Sequence, residues 1–207
     1  MQRMMSWGIT PLFLCAILIS MAWGANPQFN ASQTFEFDPD HTRCPVAFWR
    51  QGYGEKDRNC RNTFGLHLEK NCSLDTNASA GAVLNGLKGV VVQAGDELDY
   101  DLKNDSPCGA GSPRFNVAWS LDGASNFSFV GGCSNGTPSA AEQSGWTRWS
   151  FGLQVIGQAF PPIPPGATIE SVVLIVDEPG VYNLDNISFR DQFADAPGNS
   201  GPVPVCP

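Results

Sequence analysis

Residues 168–190, with the sequence TIESVVLIVDEPGVYNLDNISFR, decide the fold of this chain. Residues 172–176 are a continuous β-branched and aliphatic run, which is typical of a buried strand. Pro179 and Gly180 are a turn signal, and residues 181–189 form a second extended segment. The pattern predicts two adjacent antiparallel strands joined as a hairpin.

The second of these strands does not keep a single alternation. Leu184 has the opposite parity to Ile187 and Phe189, although all three are apolar. They can all face the core only if one extra residue is inserted between them, near Asp185 and Asn186. The sequence therefore predicts a β-bulge at this point, and a bulge would re-aim the Asp185 carboxylate.

A closing strand of the form apolar-Asp-Asn-Ile, after an apolar strand that ends in Asp, resembles the last hairpin of galactose-binding-like jelly rolls, the fold of many carbohydrate-binding modules. The resemblance covers residues 146–190, with a looser match at residues 35–37. In those modules the Asp of the closing strand often joins a Glu of the first strand in holding a structural calcium ion. The resemblance thus implies Glu36 and Asp185 as calcium ligands.

Alternation with a period of two recurs along the rest of the chain, and helical periodicity does not. Apolar residues alternate with polar ones around Leu66, Leu98 and Phe151, and Gly and Pro separate these segments. Such a pattern is typical of half-buried strands in an antiparallel sandwich. We expect an all-β protein, a single antiparallel β-sandwich of jelly-roll type stapled by disulfides.

The two ends of the chain differ from its middle. Residues 1–24 have an early Arg3, an apolar segment and a small-x-small end, which predict a cleaved signal peptide and hence secretion. Residues 25–190 are expected to form the sandwich, and residues 191–207 a Pro/Gly-rich C-terminal tail. Because no further long apolar segment follows, no membrane insertion is expected after signal cleavage.

Cysteines indicate the same compartment. The chain has 7 cysteines, and Cys15 lies in the predicted signal, which leaves an even set in the exported part. Cys108 and Cys133 flank a predicted hairpin that turns at Asp122 and Gly123, so these two are expected to be bonded. The pairing of the remaining cysteines stays open: Cys44, Cys60, Cys72 and Cys206.

Sequons add a second signal of secretion. Asn-x-Ser/Thr motifs occur more often than chance would give, and four of them are predicted glycosylation sites: Asn30, Asn71, Asn77 and Asn126.

The charge balance argues against one class of partner. With 12 Lys and Arg against 20 Asp and Glu, the net charge of -8 argues against nucleic acid, because phosphate contacts need clustered cations.

One strand suggests catalysis. Glu97, Asp99 and Asp101 alternate with apolar residues and resemble the Glu-x-Asp-x-Glu strand of jelly-roll endoglucanases. Retaining glycosidases need two carboxyl groups about 5 to 5.5 Å apart across the scissile bond. A strand with a solvated acidic face produces the same pattern without any chemistry. We favour that second interpretation and keep a small glycoside hydrolase as the alternative.

Aromatic and polar residues indicate what a non-catalytic module would bind. Sugar rings have apolar C–H faces, so their sites combine flat aromatic side chains with polar groups. By parity, Trp146 and Arg148 face outward on one strand and Asn116 faces outward on another. Trp49 and Tyr53 are expected in a loop that is rich in Gly and charged residues. These five residues are the predicted ligand site.

The sequence therefore predicts a secreted, non-catalytic module that adheres to a glycan or polysaccharide. A structural extracellular protein without a ligand is a further alternative, since a fold does not fix a function. The sequence leaves open the sugar, the source organism and the oligomeric state.

Overall fold

The computed structural model describes residues 28–56 and 63–194. The predicted signal peptide, Cys60 and Cys206 lie outside the described residues. Within them, the chain forms two antiparallel sheets and one short 3₁₀ turn, Cys133–Asn135. No helix of the described part is long and apolar enough to cross a membrane.

Each of the two sheets takes strands from the whole length of the described chain. Sheet A contains, in spatial order, β1 (Asn30–Phe37), β4 (Ser79–Asn85), β11 (Thr168–Val176), β6 (Arg114–Leu121), β7 (Ala124–Gly131) and β10 (Ala159–Phe160). Sheet B contains β2 (Pro45–Gln51), β3 (Phe64–Lys70), β12 (Gly180–Phe189), β5 (Glu97–Lys103), β9 (Trp146–Gly152) and β8 (Thr137–Ala140), and β13 (Gln192–Ala194) pairs with β12.

The strand order is that of a jelly roll. The last two long strands insert between earlier ones, β11 between β4 and β6, and β12 between β3 and β5. The orders β4-β11-β6-β7 and β3-β12-β5-β9 then face each other as two interlocked Greek keys. The predicted all-β sandwich is confirmed.

The predicted hairpin over residues 168–190 is wrong. Strand β11 lies in sheet A and β12 in sheet B, so the chain crosses from one sheet to the other at residues 177–179. Asp177 is fixed at this crossing, since Arg114 donates to both of its carboxylate oxygens at 2.6 Å. Two apolar strands and a Pro-Gly turn are equally compatible with a hairpin and with an arch, so local sequence does not distinguish the two.

The predicted β-bulge is confirmed. The register between β12 and β5 shifts between Asp185 and Ser188, and Asn186 has a positive φ of 45°. As a result Leu184, Ile187 and Phe189 are all buried, at 0%, 0% and 1% exposure.

Strands β6 and β7 form the predicted hairpin. Leu121 pairs with Ala124, and both turn residues have positive φ, 52° at Asp122 and 80° at Gly123, as a tight two-residue turn requires. At the open end of this hairpin Cys108 is bonded to Cys133, with a Cα–Cα distance of 5.0 Å, as predicted. A second disulfide joins Cys44 to Cys72.

The core lies between the sheets. Tyr100 and Phe151 from sheet B meet Phe115 from sheet A, with ring centroids 5.3 to 6.1 Å apart. The buried Tyr100 hydroxyl donates to the Pro113 carbonyl at 2.9 Å.

The folded domain continues past residue 190, where the sequence predicts that a tail begins. Ala194 in β13 pairs with Ile187 and is fully buried.

A buried lysine ties the end of β3 to two neighbouring segments. Lys70 is 2% exposed, and its ammonium group donates to the carbonyls of Leu74, Thr76 and Asp177 at 3.2, 2.8 and 2.9 Å. We predict that Lys70→Met destabilises the protein by about 3 to 5 kcal/mol, because three backbone carbonyls lose a charged donor. Urea unfolding measures the change.

The matched control is Lys88→Met, since Lys88 is exposed. That variant is expected to stay within about 0.5 kcal/mol of the parent. Equal effects of the two substitutions would contradict a structural role for the Lys70 ammonium group.

Candidate functional site

The outer face of sheet B brings together several of the residues singled out in the sequence. Alternate residues of β2, β3, β12, β5 and β9 fill the core, so the residues between them point outward. Phe48 pairs with His67, His67 with Asn183, and Lys103 with Trp146. Asn183 stands one residue beyond the Leu184–Leu102 pair and is therefore level with Lys103. We call these five residues the outer row: Phe48, His67, Asn183, Lys103 and Trp146.

One end of the outer row is an aromatic cluster. The rings of Phe48 and His67 stack with centroids 4.6 Å apart, and the Tyr53 ring meets both edge-on at 5.5 and 5.4 Å. The Arg50 guanidinium lies 5.7 Å from the Tyr53 ring centroid. His67 Nδ1 lies 2.9 Å from Asn183 Oδ1, so the cluster is connected to the middle of the row. Tyr53 lies in a loop, as predicted, and its ring covers this part of the outer face of sheet B.

The other end of the outer row is Trp146, the first residue of β9. Trp146 is half-buried and faces outward beside Lys103, whereas Trp149 on the same strand packs against the core. The parity predicted for these two tryptophans therefore agrees with the structure. Between the Trp146 end and the aromatic cluster lie the Asn183 amide and the Lys103 ammonium group, the latter 3.3 Å from Asp105 Oδ2.

Next to the outer row, a loop lies directly on sheet B. Residues 52–56 follow β2 and cover Gly65 of β3, where a Cβ atom would stand 2.5 Å from the Gly54 nitrogen. Only glycine permits this approach of the two backbones. The contact holds Tyr53 over Phe48 and brings Glu55 beneath the loop.

Glu55 joins a buried acidic network. Its backbone nitrogen donates to Asp185 Oδ2 at 2.6 Å, and its two carboxyl oxygens accept from Gln143 N and Asn186 Nδ2, each at 2.9 Å. Asn186 Nδ2 also donates to Asp101 Oδ2 at 2.9 Å. Glu55, Asp101 and Asp185 are each 1% exposed. The network therefore links the loop of Tyr53 to the loop before Trp146.

Arg148 belongs to this network rather than to an open ligand surface. Its guanidinium lies 3.0 Å from Asp101 Oδ1 and 3.3 Å from Asp99 Oδ2, it donates to the Ser188 hydroxyl, and its side chain is 21% exposed. It also lies 5.4 Å from the Phe193 ring centroid. Arg148 faces outward as predicted, but its charge is used within the protein.

Burial, together with the adjacent Asp101 carboxyl group, raises the pKa of the Glu55 carboxyl to about 8. The hydrogen bonds from Gln143 and Asn186 act in the opposite direction. Glu55 therefore keeps its proton at neutral pH. A protonated Glu55 avoids the repulsion between two buried carboxylates.

The acidic strand that suggests a glycosidase is largely closed to solvent. Asp101 is buried and Asp99 is 13% exposed, and both are bound to Arg148, whereas Glu97 is exposed at the end of β5. A polysaccharide cannot reach the Glu55–Asp101 pair without displacing the loop of residues 52–56. The arrangement favours a structural role for these carboxylates.

Two of the predicted ligand residues lie elsewhere. Trp49 belongs to β2 rather than to a loop, packs against the core, and donates from Nε1 to the Ala31 carbonyl at 2.8 Å. Asn116 lies on the outer face of sheet A, on the opposite side of the sandwich from Trp146. Parity predicts that a residue faces outward, but it does not say from which sheet, so the composite site of Trp146 and Asn116 is wrong.

The predicted calcium ligands also do not meet. Glu36 in β1 of sheet A accepts a hydrogen bond from Ala47 N at 3.1 Å, whereas Asp185 in β12 of sheet B accepts one from Glu55 N. In the described ranges, no group of three or more His, Cys, Asp or Glu residues is arranged to hold a metal ion. Calcium binding by the protein stays a prediction.

The predicted glycosylation sites lie at the surface. Asn71, Asn77 and Asn126 are exposed, and Asn30 is half-buried with its side-chain oxygen bound to the Ser32 amide at 3.2 Å. Three of the four side chains are therefore free of packing that would prevent attachment of a glycan. Whether they carry one stays a prediction.

Sequence reasoning missed Glu55 and most of the outer row. Phe48 precedes Trp49, and strand parity allows only one of the two to face the core, but either choice fits the pattern. Glu55 and Asn186 are 131 positions apart, so no local signal predicts their contact. The single hint is Gly54, since a glycine in a charged loop is compatible with a close backbone approach.

Comparisons with known proteins assign no family to this chain. No protein-family model matches this chain, and no curated protein matches it. Among solved structures, the chain is similar to a candidate sugar-binding protein from Bacteroides thetaiotaomicron, with 13% sequence identity over 77% of this chain and 88% of that chain, and a TM-score of 0.35. At this identity and TM-score, the similarity carries no argument about ligand or site.

The protonation of Glu55 predicts how the stability of the protein depends on pH. The pKa is about 8 in the folded protein against an ordinary value of 4.5, so the folded state binds the proton more tightly between these values. Stability therefore falls as the pH rises through this window, by up to about 1.4 kcal/mol per pH unit from this group. We expect Glu55→Gln, which is neutral at every pH, to gain stability relative to the parent between pH 5 and pH 8 in urea unfolding.

Glu142→Gln is the control, because Glu142 is exposed in the neighbouring loop. Its difference from the parent should stay constant with pH. Parallel pH profiles of the parent and Glu55→Gln would show that Glu55 is ionised in the folded protein.

Proposed function

We propose that this protein is a secreted, non-catalytic carbohydrate-binding module, and that its glycan lies along the outer row of sheet B. The observation that carries the proposal is the presence of aromatic side chains at both ends of the row, Tyr53 with Phe48 at one and Trp146 at the other, with polar groups between them. Aromatic faces pack on the C–H faces of sugar rings, and amide or ammonium groups bind their hydroxyls.

The dimensions of the row favour an oligosaccharide. Phe48 and Trp146 stand on strands separated by four inter-strand steps, which is about 19 Å at ordinary strand spacing. A single sugar ring cannot contact both ends of such a row. Asn183 and Lys103, between the ends, would bind hydroxyl groups of the intervening sugars.

Rigidity also supports this site. Glu55 belongs to the loop that positions Tyr53, and its backbone nitrogen donates to Asp185 of β12. Its carboxyl group accepts from Gln143 N in the loop before Trp146, so it connects both loops to sheet B. A site held in one conformation loses less entropy when a ligand binds. The ordering cost of binding is thus kept low on both sides of the row.

Secretion rests on separate observations. Cys44–Cys72 and Cys108–Cys133 are bonded, and disulfides form and persist in oxidising compartments. Exposed sequons at Asn71, Asn77 and Asn126 agree with passage through such a compartment. The predicted signal peptide supports the same conclusion from the sequence.

Trp146→Ala tests the site. We expect it to weaken glycan binding by about 1 to 3 kcal/mol, because an aromatic contact is lost, while the melting temperature changes little. A glycan array in calcium and in a chelator identifies the ligand, and isothermal titration calorimetry with that ligand measures the change.

Two control variants complete the test. Val181→Ala removes an exposed apolar side chain on another part of sheet B and should leave binding unchanged. Trp149→Ala should destabilise the fold by about 3 to 5 kcal/mol, since Trp149 packs against the core. Unfolding of Trp146→Ala, or undiminished binding by it, would remove the site from the outer row.

The non-catalytic part of the proposal has its own test. The purified protein should release no reducing sugar from any polysaccharide that it binds, because Glu55 and Asp101 are buried beneath a loop and Asp99 is paired with Arg148. A reducing-sugar assay measures this. Release that disappears in Glu97→Gln would support the glycoside hydrolase instead.

A further inference from the structure

Part of strand β7 turns apolar side chains toward solvent and a polar side chain toward the core, the opposite of the usual arrangement. Phe127 and Phe129 point outward, at 47% and 44% exposure, while Ser128 between them is fully buried. The Ser128 hydroxyl accepts a hydrogen bond from Trp119 Nε1 at 2.8 Å and donates one to the Pro161 carbonyl at 2.7 Å. These two bonds fix the orientation of the strand and keep both phenylalanine rings on the outer face of sheet A.

Phe160 extends the same surface. It pairs with Phe129 across β10 and β7 and is 48% exposed, and Phe127 meets Phe129 edge-on at 5.1 Å between centroids. Beside Phe129 and Phe160 lies a concave pocket of about 280 Å³ with small residues in its wall, including Gly111 and Gly132. We call this surface the phenylalanine patch: Phe127, Phe129, Phe160, Arg114 and Asn116.

The charge of the patch is neutralised. Arg114 lies 5.0 Å from the Phe129 centroid, and Asp177 binds both of its terminal nitrogens. Its Nε donates to Asn116 Oδ1 at 3.1 Å, which fixes the amide and leaves Asn116 Nδ2 without an acceptor among the described residues. In a protein of net charge -8, an uncharged surface with one orientated amide donor suits an uncharged ligand with hydroxyl groups.

We infer that the phenylalanine patch is a second carbohydrate site, which takes one ring of a neutral sugar in the pocket between Phe129 and Phe160. A flat apolar partner would not need a concave pocket, and an anionic or cationic ligand would find no unpaired charge in the patch. The inference rests on the proposed function for its class of ligand, but it uses different residues on the opposite face of the sandwich.

Two sites on opposite faces would allow the module to cross-link sugar chains, which a single site does not. The module binds two sugar chains at once and links them, and it gains affinity on any surface where both sites are engaged. The proposed partner is thus a neutral polysaccharide present in many copies, rather than a single terminal sugar.

The experiment uses native gels that contain neutral soluble polysaccharides, namely xyloglucan, mixed-linkage β-glucan and galactomannan, together with light scattering of the same mixtures. Four proteins are compared: the parent, Phe129→Ala/Phe160→Ala, Tyr53→Ala/Trp146→Ala, and the combination of all four substitutions. Phe37→Ala is the matched control, since Phe37 is 49% exposed at the far edge of sheet A. Melting temperatures verify that each variant is folded.

We expect the parent and Phe37→Ala to be retarded and to cross-link the polysaccharide. Each double variant should bind at least about tenfold more weakly and lose cross-linking, because one site of two is removed. The combined variant should migrate as it does without polysaccharide.

The outcomes separate the two proposals. Unchanged retardation and cross-linking in Phe129→Ala/Phe160→Ala would overturn the second site and leave the first intact. Loss of all binding in that variant alone would leave the phenylalanine patch as the sugar site and remove the outer row. A parent that binds none of the polysaccharides, or whose Phe129→Ala/Phe160→Ala variant instead changes its oligomeric state, would show that the patch does not bind sugar.

Discussion

The bulge at Asp185 and Asn186 is the constraint on which the outer face of sheet B depends. Strand β12 is central in its sheet, and its apolar residues must face the core on both sides of this point. The extra residue satisfies that demand only because Asn186 adopts a positive φ of 45°, which an asparagine tolerates better than most residues. Both polar side chains then turn away from the core, toward Glu55 and Asp101.

The negative charge of the buried carboxyl groups at the bulge is offset within the network. The network contains the carboxyl groups of Glu55, Asp99, Asp101 and Asp185, of which Arg148 is paired with Asp99 and Asp101. Burial of several unpaired charges would cost more than hydrogen bonds return. The retained proton of Glu55 removes one charge, and the Asn186 amide bridges two of the acids. Because Glu55 also binds Gln143, the balance of charge holds two loops on the sheet at once. The positions of Tyr53 and Trp146 follow from that attachment.

Sequence reasoning succeeds here where a constraint is local. The bulge follows from the parity of three apolar residues, and the Cys108–Cys133 bond follows from a hairpin that needs only Asp122 and Gly123 to turn. It fails where two segments far apart in the chain must meet. The arch after β11, the separation of Asn116 from Trp146 and the contact of Glu55 with Asn186 are all set by the order of strands, which alternation does not encode.

On both outer faces of the sandwich, buried polar groups hold aromatic side chains at the surface. On sheet A, burying Ser128 rather than Phe129 loses apolar burial, and the two hydrogen bonds of Ser128 offset only part of that loss. On sheet B, an outward Tyr53 and Trp146 are kept in place by a network that must exclude water from three carboxyl groups. In both places stability is given up to keep aromatic rings at the surface in fixed orientations. Such an exchange supports the proposal that these rings contact ligands.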